Sequence, residues 1–150
     1  MSSRVGAAVV VAMASIAPLS TAAAAPMHAT PLEEPVVSVT ISDINASNRK
    51  IAAAYEALIT MWTNQFRQIG VRFVAPRIAR YDQAVMSSCG VMQSDNAEYC
   101  ARNNTIFYDE VFVAGMTKRA ALALGTDGDM AGIGIIAHEM GHAVATQLGH

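Results

Sequence analysis

Apolar residues recur at steps of three and four from Ile51 to Ile69: Ile51, Tyr55, Leu58, Ile59, Trp62, Phe66 and Ile69 form one stripe. That period marks an amphipathic helix with one face turned to a core. Ser47 is a capping residue type at its start, and Gly70 suits the position just past its end. At this spacing Tyr55 and Trp62 read as core packing rather than a binding face. Ahead of the helix, Val36 to Ile41 alternates, with Val37, Val39 and Ile41 on one side, which predicts a short strand. Val71 to Val74, ended by Ala75-Pro76, predicts another, and Thr105 to Tyr108 a third. Asp109 to Leu124 reads as a helix stopped by Gly125. After the loop Thr126-Asp127-Gly128, Asp129 is a good cap for a last helix from Met130 to Leu148, with Gly149 beyond it.

Composition narrows the class. The 150 residues suit one domain, and 53% hydrophobic content with 15% charge excludes a disordered tail. Ten Lys+Arg against twelve Asp+Glu leave a net charge of -2. With no basic excess to cover phosphates, nucleic acid is not an expected partner.

The N-terminus reads as an address. Arg4 supplies a positive start, Gly6 to Leu19 an apolar stretch, and Ala22 to Ala25 small-residue cleavage sites. Residues 1–25 are therefore expected to be a cleavable signal peptide, and the mature chain exported, periplasmic or secreted. A membrane-spanning anchor is the alternative, opposed by Pro18, Ser20, Thr21 and the alanine run. No stable membrane anchor is expected after cleavage. Pro26 to Pro35 holds three of the five prolines and reads as an extended linker in which His28 is solvated. Residues 26–42 are accordingly a linker or pro-region with the short strand, and residues 43–150 the functional domain.

Cys89 and Cys100 enclose ten residues. In an exported chain an even cysteine count predicts a disulfide, because the compartment is oxidising. The alternative, half of a zinc site, fits poorly, since structural zinc takes cysteines about two to four residues apart. The bridge is expected to staple an otherwise irregular loop from Ser87 to Asn104, at about 3 kcal/mol.

His138-Glu139-Met140-Gly141-His142 is an H-E-x-x-H stretch. On a helix, residues i and i+4 differ by about 40° in direction and about 6 Å along the axis, so both imidazoles converge on one point. Zinc accepts their nitrogens there at about 2.0–2.1 Å. Glu139 lies about 100° round the helix, where it flanks the metal and can take a proton from its water. Ile133, Ile135, Ile136, Ala137, Ala143 and Val144 keep the helix uncharged. Gly132, Gly134 and Gly141 run against helix propensity and call for a packing or approach reason.

The stretch from Ser88 to Gly149 resembles the bacterial neutral zinc metallopeptidases. The resemblance rests on Cys89-Gly90, Tyr99-Cys100, Tyr108-Asp109, Gly128-Asp129, His138-Glu139-x-Gly141-His142, Val144 and Leu148-Gly149, with Phe73 to Arg80 similar to the approach to the first cysteine. It departs in having Asp95-Asn96-Ala97-Glu98 where the family favours Gly-Pro-Phe, and Ala143 where the family favours a further histidine. The resemblance implies an α+β, mainly helical, zincin-like domain. It also implies His138 and His142 as Zn2+ ligands, Glu139 as general base, and a Cys89–Cys100 disulfide. The family is similar to the gluzincins, whose third ligand is a glutamate on a later helix. That ligand is expected beyond residue 150, making the domain C-terminally incomplete. His150, Asp109, Asp127 and Asp129 are weaker candidates: His150 falls outside the metzincin spacing, and no spacing argument favours the aspartates.

Two functions follow. The leading expectation is an exported zinc metallopeptidase hydrolysing peptide bonds in a peptide or protein substrate. The alternative is a non-catalytic exported domain with weak or no zinc binding, motivated by the missing third ligand.

Overall fold

The computed structural model describes residues 37–150; the signal-peptide reading and most of the linker lie outside them. The fold is α+β. Helix α1 (Ile41–Gln68) is followed by strands β1 (Arg77–Tyr81), β2 (Val85–Ser87), β3 (Gly90–Met92), β4 (Ala97–Cys100) and β5 (Thr105–Asp109), then by helices α2 (Glu110–Leu124) and α3 (Asp129–Gln147). No helix among the described residues is long and apolar enough to cross a membrane.

Strand β5 organises the sheet. It lies between β1, parallel to it with Arg77 opposite Thr105, and β4, antiparallel with Ala97 opposite Tyr108. Strands β2 and β3 form a separate antiparallel hairpin. The main core cluster takes Ile51 from α1, Ile106 and Tyr108 from β5, Val113 from α2, and Ile136 and Met140 from α3. Three helices and the central strand therefore share one interior, and the buried face of α3 is fixed from two sides.

Close helix packing accounts for two glycines. A Cβ on Gly132 would sit 2.8 Å from Thr117 Oγ1 and 3.2 Å from Val113 Cγ1, so its absence lets α3 approach α2. Gly128, at φ 66°, caps α3 with its Cα against the Thr117 carbonyl; a Cβ there would lie 2.1 Å from that oxygen.

Several expectations change. Residues 37–40 form no strand, and Ile41 already belongs to α1. The helix starts at a Thr40 cap, where Asp43 closes a capping box, while Ser47 lies buried inside it. The box supplies partners for the first free N–H groups, which outweighs a weak alternation. Val71 to Val74 is not a strand either. The Gln147 side chain bonds both the N–H and the carbonyl of Val74, at 2.8 and 3.0 Å, satisfying them without a ladder. Helix α3 is capped by Gly128 rather than Asp129. The Ser87–Asn104 segment is not irregular, for it contains β3 and β4. The disulfide forms there, between Cys89 and Cys100, with Cα atoms 5.7 Å apart. It ties the hairpin turn to the last residue of β4.

Candidate metal centre

Helix α3 carries His138, Glu139 and His142 past the edge strand β4. Its inner side is anchored by Ile136, Met140, Ala143 and Val144, all buried, so its outer side is held in one place. His138 and His142 are exposed on that outer side. Their Nε2 atoms stand 3.1 Å apart, with ring planes at 87°. Nitrogens bound to one tetrahedral zinc at about 2.0–2.1 Å lie about 3.3–3.4 Å from each other. The two nitrogens thus stand close to the separation a shared cation requires. The donor set, imidazole nitrogen with a carboxylate alongside, is one zinc accepts readily.

Glu139 completes the group: one oxygen of its carboxylate and one nitrogen from each imidazole all lie within 4.8 Å of one another. Unlike the histidines it is buried, at 7% exposure. Its Oε2 accepts the Tyr99 backbone N–H at 2.9 Å. Burial pushes its pKa up, opposed by the Tyr99 hydrogen bond and by both histidines. A carboxylate desolvated in this way is a stronger proton acceptor than one in water.

Two clefts meet over this group. One, of about 470 Å³, runs toward the start of α3 and is lined by Phe112, Ala131, Gly134 and Ile135 as well as His138 and Glu139. The other, of about 550 Å³, runs toward its end and is lined by Glu98, Tyr99, His142 and Thr146 with the same pair. Asn96 and Ala97 border both.

A family model described as "Putative neutral zinc metallopeptidase" matches residues 6–150. The chain belongs to this family. The match extends well beyond the C-terminal half in which the motifs lie. Two relatives, each called "Uncharacterized protein YpfJ", come from Escherichia coli strain K12 and from an Escherichia coli O6:H1 strain. Each is 35% identical to this chain over 89 residues, which is 59% of this chain and 30% of the relative. The chain thus matches under a third of the length of these curated relatives. No solved structure matches it significantly. The family's name points to a zinc metallopeptidase, and the His–Glu–His group is one that could hold a metal ion.

The other ligand candidates stand elsewhere. Asp109 is buried with its own duties: Oδ1 caps α2 by accepting from Val111 and Phe112 N–H, and Oδ2 accepts from Asp95 N–H at 2.9 Å. Asp129 pairs with Lys50. Asp127 borders a pocket shared with Asp43 and Lys118, and the His150 N–H folds back onto the Ala145 carbonyl. Among the described residues, none of these four joins the His–Glu–His group. Sequence reasoning missed Asn96, Ala97 and the Tyr99 amide, because nothing local marks a four-residue strand as the far wall of a cleft. The signals there were the Tyr99-Cys100 match and the Asp95-Asn96-Ala97-Glu98 departure, which belong to the family resemblance and carry no spacing relation to the helix.

Proposed function

We propose that this chain carries the catalytic core of an exported zinc-dependent peptidase, with His138 and His142 as ligands and Glu139 as general base. The observation that carries this reading is the 3.1 Å approach of two exposed imidazole nitrogens beside a buried carboxylate. When bound, zinc supplies a Lewis acid that polarises the scissile carbonyl and acidifies water to a pKa of about 7. The residues do the rest. The Tyr99 N–H holds Glu139 Oε2, leaving Oε1 to accept the proton from the attacking water and hand it to the leaving amine nitrogen. Because the Tyr99 amide turns away from β5 toward α3, the period-two geometry of a strand turns the Ala97 peptide groups the same way. They offer an extended substrate main chain a hydrogen-bonding edge beside the scissile bond.

Export rests on Arg4, the apolar Gly6 to Leu19 stretch and the alanine run, and a disulfide suits an oxidising compartment. The third protein ligand that catalytic zinc takes lies, in this reading, outside the described residues. The same ligand count favours a second reading, a non-catalytic exported domain with weak zinc binding, since His138 and His142 are joined only by Glu139 among the described residues.

One experiment separates the two. The gene product is purified from zinc-replete medium, its metal content measured, and cleavage of a peptide library followed for wild type and Glu139→Gln. The peptidase reading expects about one zinc per chain in both and a fall in cleavage of about 10²–10⁴-fold in the variant. Full cleavage by Glu139→Gln removes the base; substoichiometric zinc with no cleavage by wild type establishes the second reading.

A further inference from the structure

Helix α3 contains glycines at 132, 134 and 141, although glycine is disfavoured in a helix interior. Gly132 has a packing reason, the close contact with Thr117 and Val113. Gly134 has none: a Cβ there meets nothing within 4 Å. Lying one turn before His138, it presents the same face of the helix and borders the 470 Å³ cleft that ends at His138 and Glu139.

That cleft is apolar except at its catalytic end and at Asn96. Its walls are Phe112, Ile135 and Ala97, each packed against the main core cluster, with Ala131 and Gly134 beside them. Walls anchored in the interior stay in place when nothing fills the cleft, so this open cleft is formed in advance. The cleft on the far side of Glu139 is bordered instead by Glu98, Tyr99, His142 and Thr146. The trough therefore treats the two sides of a scissile bond differently. An apolar side chain gains by leaving water for the Phe112–Ile135 side, whereas an anionic one entering there loses hydration among apolar walls with only the Glu139 carboxylate at their end.

We propose that this cleft is a specificity subsite for one apolar side chain, leucine- or phenylalanine-sized, next to the scissile bond of a peptide substrate, and that Gly134 sets its depth. The proposal rests on the peptidase reading for the identity of its occupant. A side chain at 134 would project into open space on the His138 face and fill the subsite, while relieving the helix of a glycine.

The test uses the full zinc-loaded chain and the variants Gly134→Leu and Gly134→Ala. Peptides differing only in Leu, Phe, Ala or Ser beside the cleaved bond are compared by kcat/KM. Wild type is expected to favour Leu or Phe over Ser by at least about tenfold, the scale on which apolar pockets discriminate. Gly134→Leu is expected to reduce that ratio at least about tenfold, with Tm not lowered and zinc content kept, and Gly134→Ala to fall between. In parallel, backbone amide shifts are recorded while N-acetyl-leucinamide or N-acetyl-serinamide is added. The leucine probe should shift Phe112, Ala131 and Ile135 in wild type but not in Gly134→Leu, and the serine probe should shift neither. Cleavage with an unchanged Leu/Ser ratio in Gly134→Leu overturns the subsite and leaves the peptidase reading standing. Shifts lost in Gly134→Leu, with no peptide cut by wild type, support the subsite and sink the peptidase reading. Absence of leucine-specific shifts in wild type overturns the subsite outright.

Discussion

Two polar clusters lie along α3, one at its start and one midway, and they are built in different ways. At the start of the helix two ion pairs tie the three helices together. Lys50 pairs with Asp129, and Lys118 Nζ donates to Asp43 Oδ2 at 2.7 Å and to the Ser38 carbonyl at 2.9 Å. Asp43 also closes the cap of α1 with Thr40. Further along the helix, His138 and His142 turn their Nε2 atoms on each other, and the neighbouring anion, Glu139, has one oxygen already held by a backbone amide. The first cluster serves as a joint between helices. The second brings two imidazole nitrogens and a carboxylate oxygen together on one helix, a donor set that fits a metal ion. Polar crowding by itself therefore says little; the convergence of metal-ligating atoms on one point separates a site from a brace.

The sharpest way to break this contrast is at the imidazoles. His138→Ala or His142→Ala should lower zinc affinity by more than the about 10–100-fold that losing an outer partner costs. The metal-free chain should keep its Tm, since both side chains are exposed; zinc titration with thermal melts checks both. Replacing Cys89 and Cys100 by serine should cost about 3 kcal/mol in guanidinium unfolding, because the bridge closes a loop of sequence separation 11. If the end of β4 then frays, Glu139 loses its Tyr99 anchor while the Lys118–Asp43 joint is unaffected. Gly132→Ala should destabilise by about 1–3 kcal/mol through overpacking against Thr117 and Val113, whereas Gly134→Ala, two residues on, should stabilise by up to about 1 kcal/mol. Urea denaturation of the two variants reads these opposite signs directly.

The smallest effect concerns pH at the joint. The Lys118 hydrogen bond, followed by those from Thr40, holds Asp43 at about 2, below its ordinary 3.8. A depressed carboxylate stabilises the fold when ionised, so its contribution is complete above about pH 4 and is lost as pH falls through about 2. Thermal melts across that window should show the loss in wild type, and Asp43→Asn should remove this part of the slope. An unchanged slope would mean that Asp43 does not hold the joint.

The start of α1 shows why part of the fold escaped sequence reading. Thr40 and Asp43 spell out a capping box, yet the alternation of Val37, Val39 and Ile41 drew attention to a strand on the same residues. Strands β1 to β4 are three to five residues long, too short for their periodicity to rise above noise. Only β5, with the consecutive apolar residues Ile106, Phe107 and Tyr108, is apolar enough to be recognised by itself. The same asymmetry holds at the site. His138, Glu139 and His142 were legible because one helix brings them together, while Asn96, Ala97 and Tyr99 were not.

By itself, then, the sequence determined what helical hydrogen bonding makes local: two imidazoles one turn apart, a carboxylate beside them, and apolar stripes to hold their helix down. The tertiary structure alone decided which strand faces that helix, that the Tyr99 amide anchors Glu139, and that the trough is apolar on one side and polar on the other. Helix geometry repeats every few residues and can be read from spacing. Strand pairing joins residues far apart in the chain, and it is settled only when the whole core has closed around β5.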